Sequence, residues 1–285
     1  MTTGYAALKD KKSQLIRKGL QASVFVATRT ADIITKAVLF DDTGDLQPLP
    51  AGWEDYGLTD TTGAKMPRSV KSSTVTSCGE TEPTRSDFTQ DTTTLTVVPQ
   101  ETKRLTVATY TGADPSALVA GSNGAVELKR ATLSTARYCQ LLSVAVDTTD
   151  DGEIVIARYL PKAKVTDFAD QSHSSGDDPL LWGVTFTAFK DEALGFAVDD
   201  LFGGPGWNAL LIDMGFRRIV TCSTTSTDAT LTATTGTFVP SDMGKPLSGA
   251  GIPATTTVAT YTDDTHVEMS HAATATASNV AVTVG

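Results

Sequence analysis

Through most of this chain, β-branched and aromatic residues alternate with polar ones in short runs. That period of two is the signature of strands with one covered and one wet face. Runs at Val24–Thr28 and Ile33–Phe40 predict the first two strands. Val70–Cys78 and Asp87–Val98 predict two more, broken apart by the segment Gly79–Arg85. Tyr138–Val146 and Ile154–Leu160 flank the polar turn Asp147-Thr-Thr-Asp-Asp-Gly152 and predict a hairpin. Val184–Phe189 reads Val, Thr, Phe, Thr, Ala, Phe, apolar on one side and hydroxyl-bearing on the other. One segment reads as a short helix. It opens at Pro99-Gln-Glu-Thr-Lys103 and ends near Gly112, although Thr102, Thr106, Val107 and Thr109 lose rotamer freedom in a helix. Asp114-Pro-Ser-Ala-Leu118 offers a second helical turn.

The connections carry their own signals. Asp41-Asp-Thr-Gly-Asp45 is turn chemistry, and it lacks the spaced ligands and closing Glu of a calcium loop. Residues 46–70 form a long Pro- and Gly-containing stretch holding Trp53 and Tyr56. Loops of that length are usually functional or disordered. Its aromatics either bury against a neighbour in an assembled state or form a satellite core under a surface loop. Gly203-Gly-Pro-Gly-Trp207 reads as a tight bend exposing Trp207. In the first 20 residues Lys9, Lys11, Lys12, Arg17 and Lys18 oppose Asp10, and Leu8, Leu15, Ile16 and Leu20 make one stripe if the segment is helical. This is either a solvated arm or an arm that docks on an acidic neighbouring subunit through Lys11, Lys12, Arg17 and Lys18. Near Arg217 the composition turns to Thr, Ala, Ser and Val, which predicts a separate small β domain over 217–285.

Composition narrows the function. The 285 residues fit two domains, and 40% apolar content is enough for real cores. The formal charge is −10, of which −8 falls on residues 1–216. A sequence-specific DNA reader needs a basic face, so that class is excluded, whereas an acidic chain suits a surface that must not retain DNA. Cys78, Cys139 and Cys222 are too far apart for a Cys-x-x-Cys zinc site or a disulfide framework, and read as buried small side chains. No apolar run reaches membrane-helix length and no leader pattern opens the chain, so synthesis and assembly in the cytoplasm are expected.

Catalytic machinery is not legible. His173, His266 and His271 lie in loop or strand contexts that read as surface positions. The adjacent carboxylates Asp41/Asp42, Asp150/Asp151, Asp177/Asp178, Asp199/Asp200 and Asp263/Asp264 mostly sit beside Gly, Pro or Thr, where they are solvated and not poised in an apolar pocket. Pro205 removes an amide that a phosphate cradle at Gly203–Gly206 would need. No enzyme activity, cofactor or metal is expected.

Four segments in order carry a family resemblance. They are Gly52-Trp-Glu-Asp-Tyr-Gly57, Glu101-Thr-Lys-Arg-Leu105 leading to Tyr110-Thr-Gly112, Leu160-Pro-Lys-Ala-Lys-Val165 and Val184-Thr-Phe-Thr-Ala-Phe189. Together they resemble the major tail tube proteins of long-tailed, siphovirus-type bacteriophages over about residues 20–216. The last part resembles a small β module appended to phage structural proteins, through Gly236-Thr-Phe238, Asp242-Met-Gly-Lys245, Gly251-Ile-Pro253 and Ala273-Thr-Ala-Thr276. The resemblance implies a mainly β fold: a β-sandwich or barrel tail-tube fold with a flanking α-helix, over 1–216, and a small all-β domain projecting outward. It implies hexameric rings stacked into a DNA-conducting channel, with a negative lumen that does not hold its cargo. A long inter-ring loop would span about 46–85. There Trp53, Glu54, Asp55, Tyr56, Arg68, Lys71 and Arg85 would make assembly contacts, the aromatics gaining burial only on stacking. Implied partners are identical subunits, a tape measure protein, tail terminator and tail tip proteins, and double-stranded DNA in transit. A host surface glycan on the C-terminal domain is a further expectation from its Thr/Ser-rich surface. The location would be the virion tail. The competing reading is a carbohydrate-binding or adhesive β protein, and a cell-wall hydrolase is the weakest.

Overall fold

The computed structural model describes residues 4, 8–9, 11–41, 43–115, 118–129, 137–173, 179–211 and 213–285. Asp10, Asp42, Ser116, Ala117, Asp177 and Asp178 lie outside the described residues. The fold is mainly β. Contacts divide the chain into two compact units, Lys18–Trp207 and Met1–Arg17 with Asn208–Gly285.

In the larger unit the elements run β1 (Gln21–Thr28), α1 (Lys36–Leu39), β2 (Trp53–Asp55), β3 (Arg68–Thr76), β4 (Pro83–Val97), α2 (Arg104–Thr111), β5 (Cys139–Thr149), β6 (Gly152–Phe168), β7 (Val184–Ala188) and β8 (Asp199–Gly203). One sheet takes them in the order β2-β1-β5-β6-β7-β4-β3, with β8 added on β6. The 17-residue β6 is its spine: Val155–Tyr159 pairs with β8 and Ala163–Phe168 with β7. Two cores form on opposite sides. Val24, Val26, Tyr56, Leu95, Val97, Leu105, Leu141, Leu160, Val184 and Phe186 close one, with α2 lying on the sheet. Ile34, Leu39, Phe40, Leu142, Val144, Val155, Tyr159 and Leu201 close the other. The β1-β5-β6 half is therefore apolar on both faces. The half made by the end of β6 with β7 and β4 is apolar on one face only.

Local sequence explains several departures. Ile33–Phe40, expected as a strand, instead turns once as α1 and rejoins at a bridge between Phe40 and Leu46. Ile34 and Leu39 then point into the second core, a spacing that alternation does not serve. α2 ends at Gly112 with φ +73°, the left-handed cap that glycine takes without strain. The bend before Trp207 turns at Gly204, whose φ is +104° and where a Cβ would lie 2.2 Å from the Glu153 carbonyl oxygen. The short helix α3 (Pro205–Leu210) follows. Trp207 stacks on Phe202 at 4.9 Å between ring centres, so it is half-buried and not held out in water as expected. A 3₁₀ turn forms at Ser13–Leu15, and Leu8, Ile16 and Leu20 stay exposed, so the apolar stripe is not buried. Cys78 is exposed, contrary to expectation. Burial pushes the Cys139 and Cys222 thiols up to about 12, so both are unreactive.

The smaller unit is a six-stranded antiparallel sheet of β9 (Arg218–Thr224), β10 (Thr230–Thr235), β11 (Leu247–Ser248), β12 (Val258–Tyr261), β13 (His266–Met269) and β14 (Ala277–Val284), in the order β11-β14-β9-β10-β13-β12. Val220, Leu231, Phe238, Val267 and Val282 centre its core. Asp242, fully buried, accepts hydrogen bonds from the Arg218 guanidinium and, at 2.9 Å, from the Val239 amide, with the Lys245 ammonium 3.6 Å away. The Asp-x-Gly-Lys segment is thus a buried ionic staple.

Candidate functional site

The feature that demands explanation is the ribbon made by β3 and the first part of β4. Strands here should bury one face, yet every residue from Arg68 to Asp91 is exposed. At about 3.4 Å per residue, Pro83–Asp91 carries the ribbon on the order of 30 Å beyond the covered sheet. A lone two-stranded ribbon is marginal in water. This one carries apolar side chains into solvent: Phe88 is 83% exposed, Val75 52% and Val70 44%. Register shifts between Lys71 and Ser72 and between Val75 and Thr76 put extra residues in β4, which increases twist. The first shift turns Phe88 onto the face that carries Val70. At the base Arg68 clamps Asp91 through two parallel hydrogen bonds, Nε–Oδ1 at 2.9 Å and Nη2–Oδ2 at 2.5 Å. The bond from Arg68 holds the Asp91 carboxyl below its ordinary value. Arg85 pairs with Asp87 at 2.6 Å. Pairs this exposed contribute little to stability, so they fix the ribbon's geometry more than its energy.

The expected assembly residues do not form one site. Arg68, Lys71 and Arg85 lie on the ribbon, whereas Trp53, Glu54 and Asp55 form the edge strand β2. Glu54 pairs with Arg104 at 3.1 Å, and Asp55 accepts the Gly57 amide at 3.0 Å. Trp53 packs its ring 6.2 Å from that of Tyr159. Tyr56 is fully buried in the first core, so its burial does not wait for stacking; that expectation is overturned. Apolar contact with Phe186 and a hydrogen bond to Thr109 hold it in the single chain. In the basic arm Lys12 donates to the Asp213 carbonyl at 2.9 Å, Arg17 is half-buried, and the Lys18 amide donates to Asp147 at 3.3 Å; Lys11 is exposed. Phe88 was missed because the extra residue beside it in β4 breaks the alternation that sequence reading relies on.

No group of three or more His, Cys, Asp or Glu among the described residues is arranged to hold a metal. His266 is paired with Asp263 at 2.9 Å, and the hydrogen bonds from Thr265 and His266 pull the Asp263 carboxyl down to about 2. That is a structural turn on the surface.

The model of the family described as phage tail tube protein matches residues 10–198. Among solved structures, one described as the crystal structure of Hcp protein is similar at 12% identity, covering 63% of this chain and 98% of that one with a TM-score of 0.27. No curated protein matches the chain.

Proposed function

The chain belongs to the phage tail tube protein family, a structural and non-enzymatic component of the virion tail, and from that premise we propose that it assembles as hexameric rings stacked into the DNA-conducting channel of a siphovirus-type tail. The exposed ribbon Arg68–Asp91 carries this reading. A chain that holds about 30 Å of unsupported β-ribbon with Phe88, Val70 and Val75 in water has a surface that only a neighbour can cover. A second copy in the next ring is the occupant that a tube supplies. Burying Phe88 there contributes about 1.5–3 kcal/mol per contact, repeated at every subunit.

Ring closure by neighbouring sheet margins would satisfy the open edges of β2 and β3. The 217–285 domain would project outside, where its Thr-rich surface would meet a host glycan. Tape measure, terminator and tip proteins complete the proposed partners, and assembly takes place in the host cytoplasm. The test removes the ribbon and nothing else. Residues 71–90 are excised and Val70 is joined to Asp91 by Asn-Gly, a two-residue hairpin turn. Electron micrographs should then contain annuli or single subunits where the parent chain makes tubes. Tubes of normal length from the shortened chain would refute the stacking role.

A further inference from the structure

A groove of about 440 Å³ opens beside the start of β1, with Phe25, Leu39, Leu49, Trp53, Val144 and Val146 as its apolar wall. It runs along an unfinished edge. β2 pairs with β1 only from Phe25 to Ala27, and the Tyr56 amide adds a last bond to the Val24 carbonyl at 3.0 Å. Among the described residues no strand lies beside Gln21–Ser23 on that side, so backbone groups there face an open slot next to an apolar wall. The rim is acidic. Asp55 lines the groove, Asp45 precedes the lining residue Leu46, and Asp41 accepts a hydrogen bond at 3.1 Å from Gln47, another lining residue. Glu54 is held by Arg104. Against these carboxylates, residues 36–55 carry the one ammonium of Lys36.

The same chain carries a segment of the opposite character. Residues 8–18 hold Lys9, Lys11, Lys12, Arg17 and Lys18 against Asp10, in a chain whose formal charge is −10. Leu8, in front of this run, is 84% exposed, and Ile16 is 73% exposed. What ties the arm to its own chain is polar and exposed: Lys12 bonds the Asp213 carbonyl at 2.9 Å and lies 3.6 Å from its carboxylate. Contacts of that kind contribute little, so the arm releases easily. Its root is firmer, because the Lys18 amide donates to Asp147 and the Leu20 amide to the Val146 carbonyl. From Lys18 to Leu8 an extended chain reaches up to about 33 Å, enough to cross to an adjoining copy.

We infer that the arm of one copy docks in this groove of a neighbouring copy, with Leu8 against the apolar wall and Lys9 and Lys11 at the rim carboxylates. The inference rests on the reading that the chain assembles with itself, and it gives that assembly a second contact besides the ribbon. Charge complementarity selects the occupant: a basic segment with one exposed leucine fits an apolar slot ringed by aspartates. The open edge at Gln21–Ser23 suits an extended segment, whose backbone can add to the sheet while its side chains alternate between wall and rim. Each copy gives one arm and receives one. Such a contact is heterologous, so it repeats from copy to copy and does not stop at a dimer.

The test uses the full chain with Cys78→Ser. Leu8→Cys combined with Leu46→Cys, a lining residue 40% exposed, should give a ladder of disulfide-linked copies on a non-reducing gel after oxidation with copper phenanthroline. Chains with either new cysteine alone should give no ladder. A linked monomer would mean that the arm enters its own groove, and an unlinked chain that it enters none; both overturn the inference. Charge reversal tests the rim. Lys9→Glu with Lys11→Glu should raise the concentration needed for assembly about fivefold, and so should Asp45→Lys with Asp55→Lys. The four changes together should bring it back close to the parent value. Pairs that assemble as the parent does, or a combination without recovery, also overturn it. Micrographs judge the tube separately. Tubes from the parent without a ladder from the Leu8→Cys, Leu46→Cys chain remove the arm contact and leave the tube reading standing. A ladder from a chain that never makes tubes keeps the contact and removes the tube reading.

Discussion

The phenolic hydroxyl of Tyr56 donates to Oγ1 of Thr109 at 2.9 Å, joining the segment after β2 to the flanking helix α2 across the first core. Tyr56 is fully buried, and burial raises its pKa well above the ordinary tyrosine value. The ring and the hydroxyl make separable contributions. Tyr56→Phe loses the hydrogen bond and leaves Thr109 to find another partner, at a cost of about 1 kcal/mol. Tyr56→Ala also empties the ring site and costs about 3–5 kcal/mol. All three tryptophans, Trp53, Trp182 and Trp207, lie within Lys18–Trp207, so tryptophan fluorescence during urea unfolding reports on this unit alone. Equal destabilisation by both variants would mean that the ring does not fill the core.

Asp242 supports the smaller unit by a different device. It is fully buried between Arg218 and Lys245 and also accepts the Val239 amide. Removing one partner of a buried pair strands the other charge, so Asp242→Ala should cost about 3–5 kcal/mol. The loss should be confined to that unit. Amide protection in β9 and β14 should collapse while the tryptophan unfolding curve stays where it was. A shift of the tryptophan curve by a similar amount would show that the two units do not unfold independently.

Acid should act on the larger unit through Asp191. Its side chain is 6% exposed and pairs with Arg29 at 2.6 Å, and that bond, with the Ala193 and Leu194 amides, lowers its pKa. A carboxyl depressed in the folded state stabilises above its unfolded value, about 3.9, and loses that stabilisation as pH falls through the folded value. The urea midpoint should therefore drop below about pH 4. In Asp191→Asn the midpoint should start lower at pH 6 and fall less steeply. Parallel pH profiles for the two proteins would place the acid sensitivity on other carboxyls.

Alternation made the strands legible, because a period of two survives wherever one face is covered and the other wet. Val184–Phe189 and the Tyr138–Leu160 hairpin were readable for that reason, and the end of α2 was readable from Gly112, a residue that caps a helix in the left-handed region. Ile33–Phe40 misled because its apolar residues serve a helical turn and a bridge under the sheet. Tyr56 misled in another way: an aromatic in a long polar stretch looks available, and only the tertiary fold brings α2 over it.

Phe88 gives the sharpest separation of folding from assembly. A side chain 83% exposed in the single chain contributes almost nothing to its stability, so Phe88→Asp should move the tryptophan unfolding midpoint by no more than about 0.5 kcal/mol. In a tube the same side chain would be covered, and a carboxylate there would be left unpaired in a dry contact, which is costly at every interface. Sedimentation should then find the variant as small particles under conditions where the parent pellets as tubes. Phe88→Leu keeps an apolar knob and should pellet nearly as well as the parent. If the aspartate variant assembles normally, the ribbon does not dock through Phe88 and another part of its surface must make the contact.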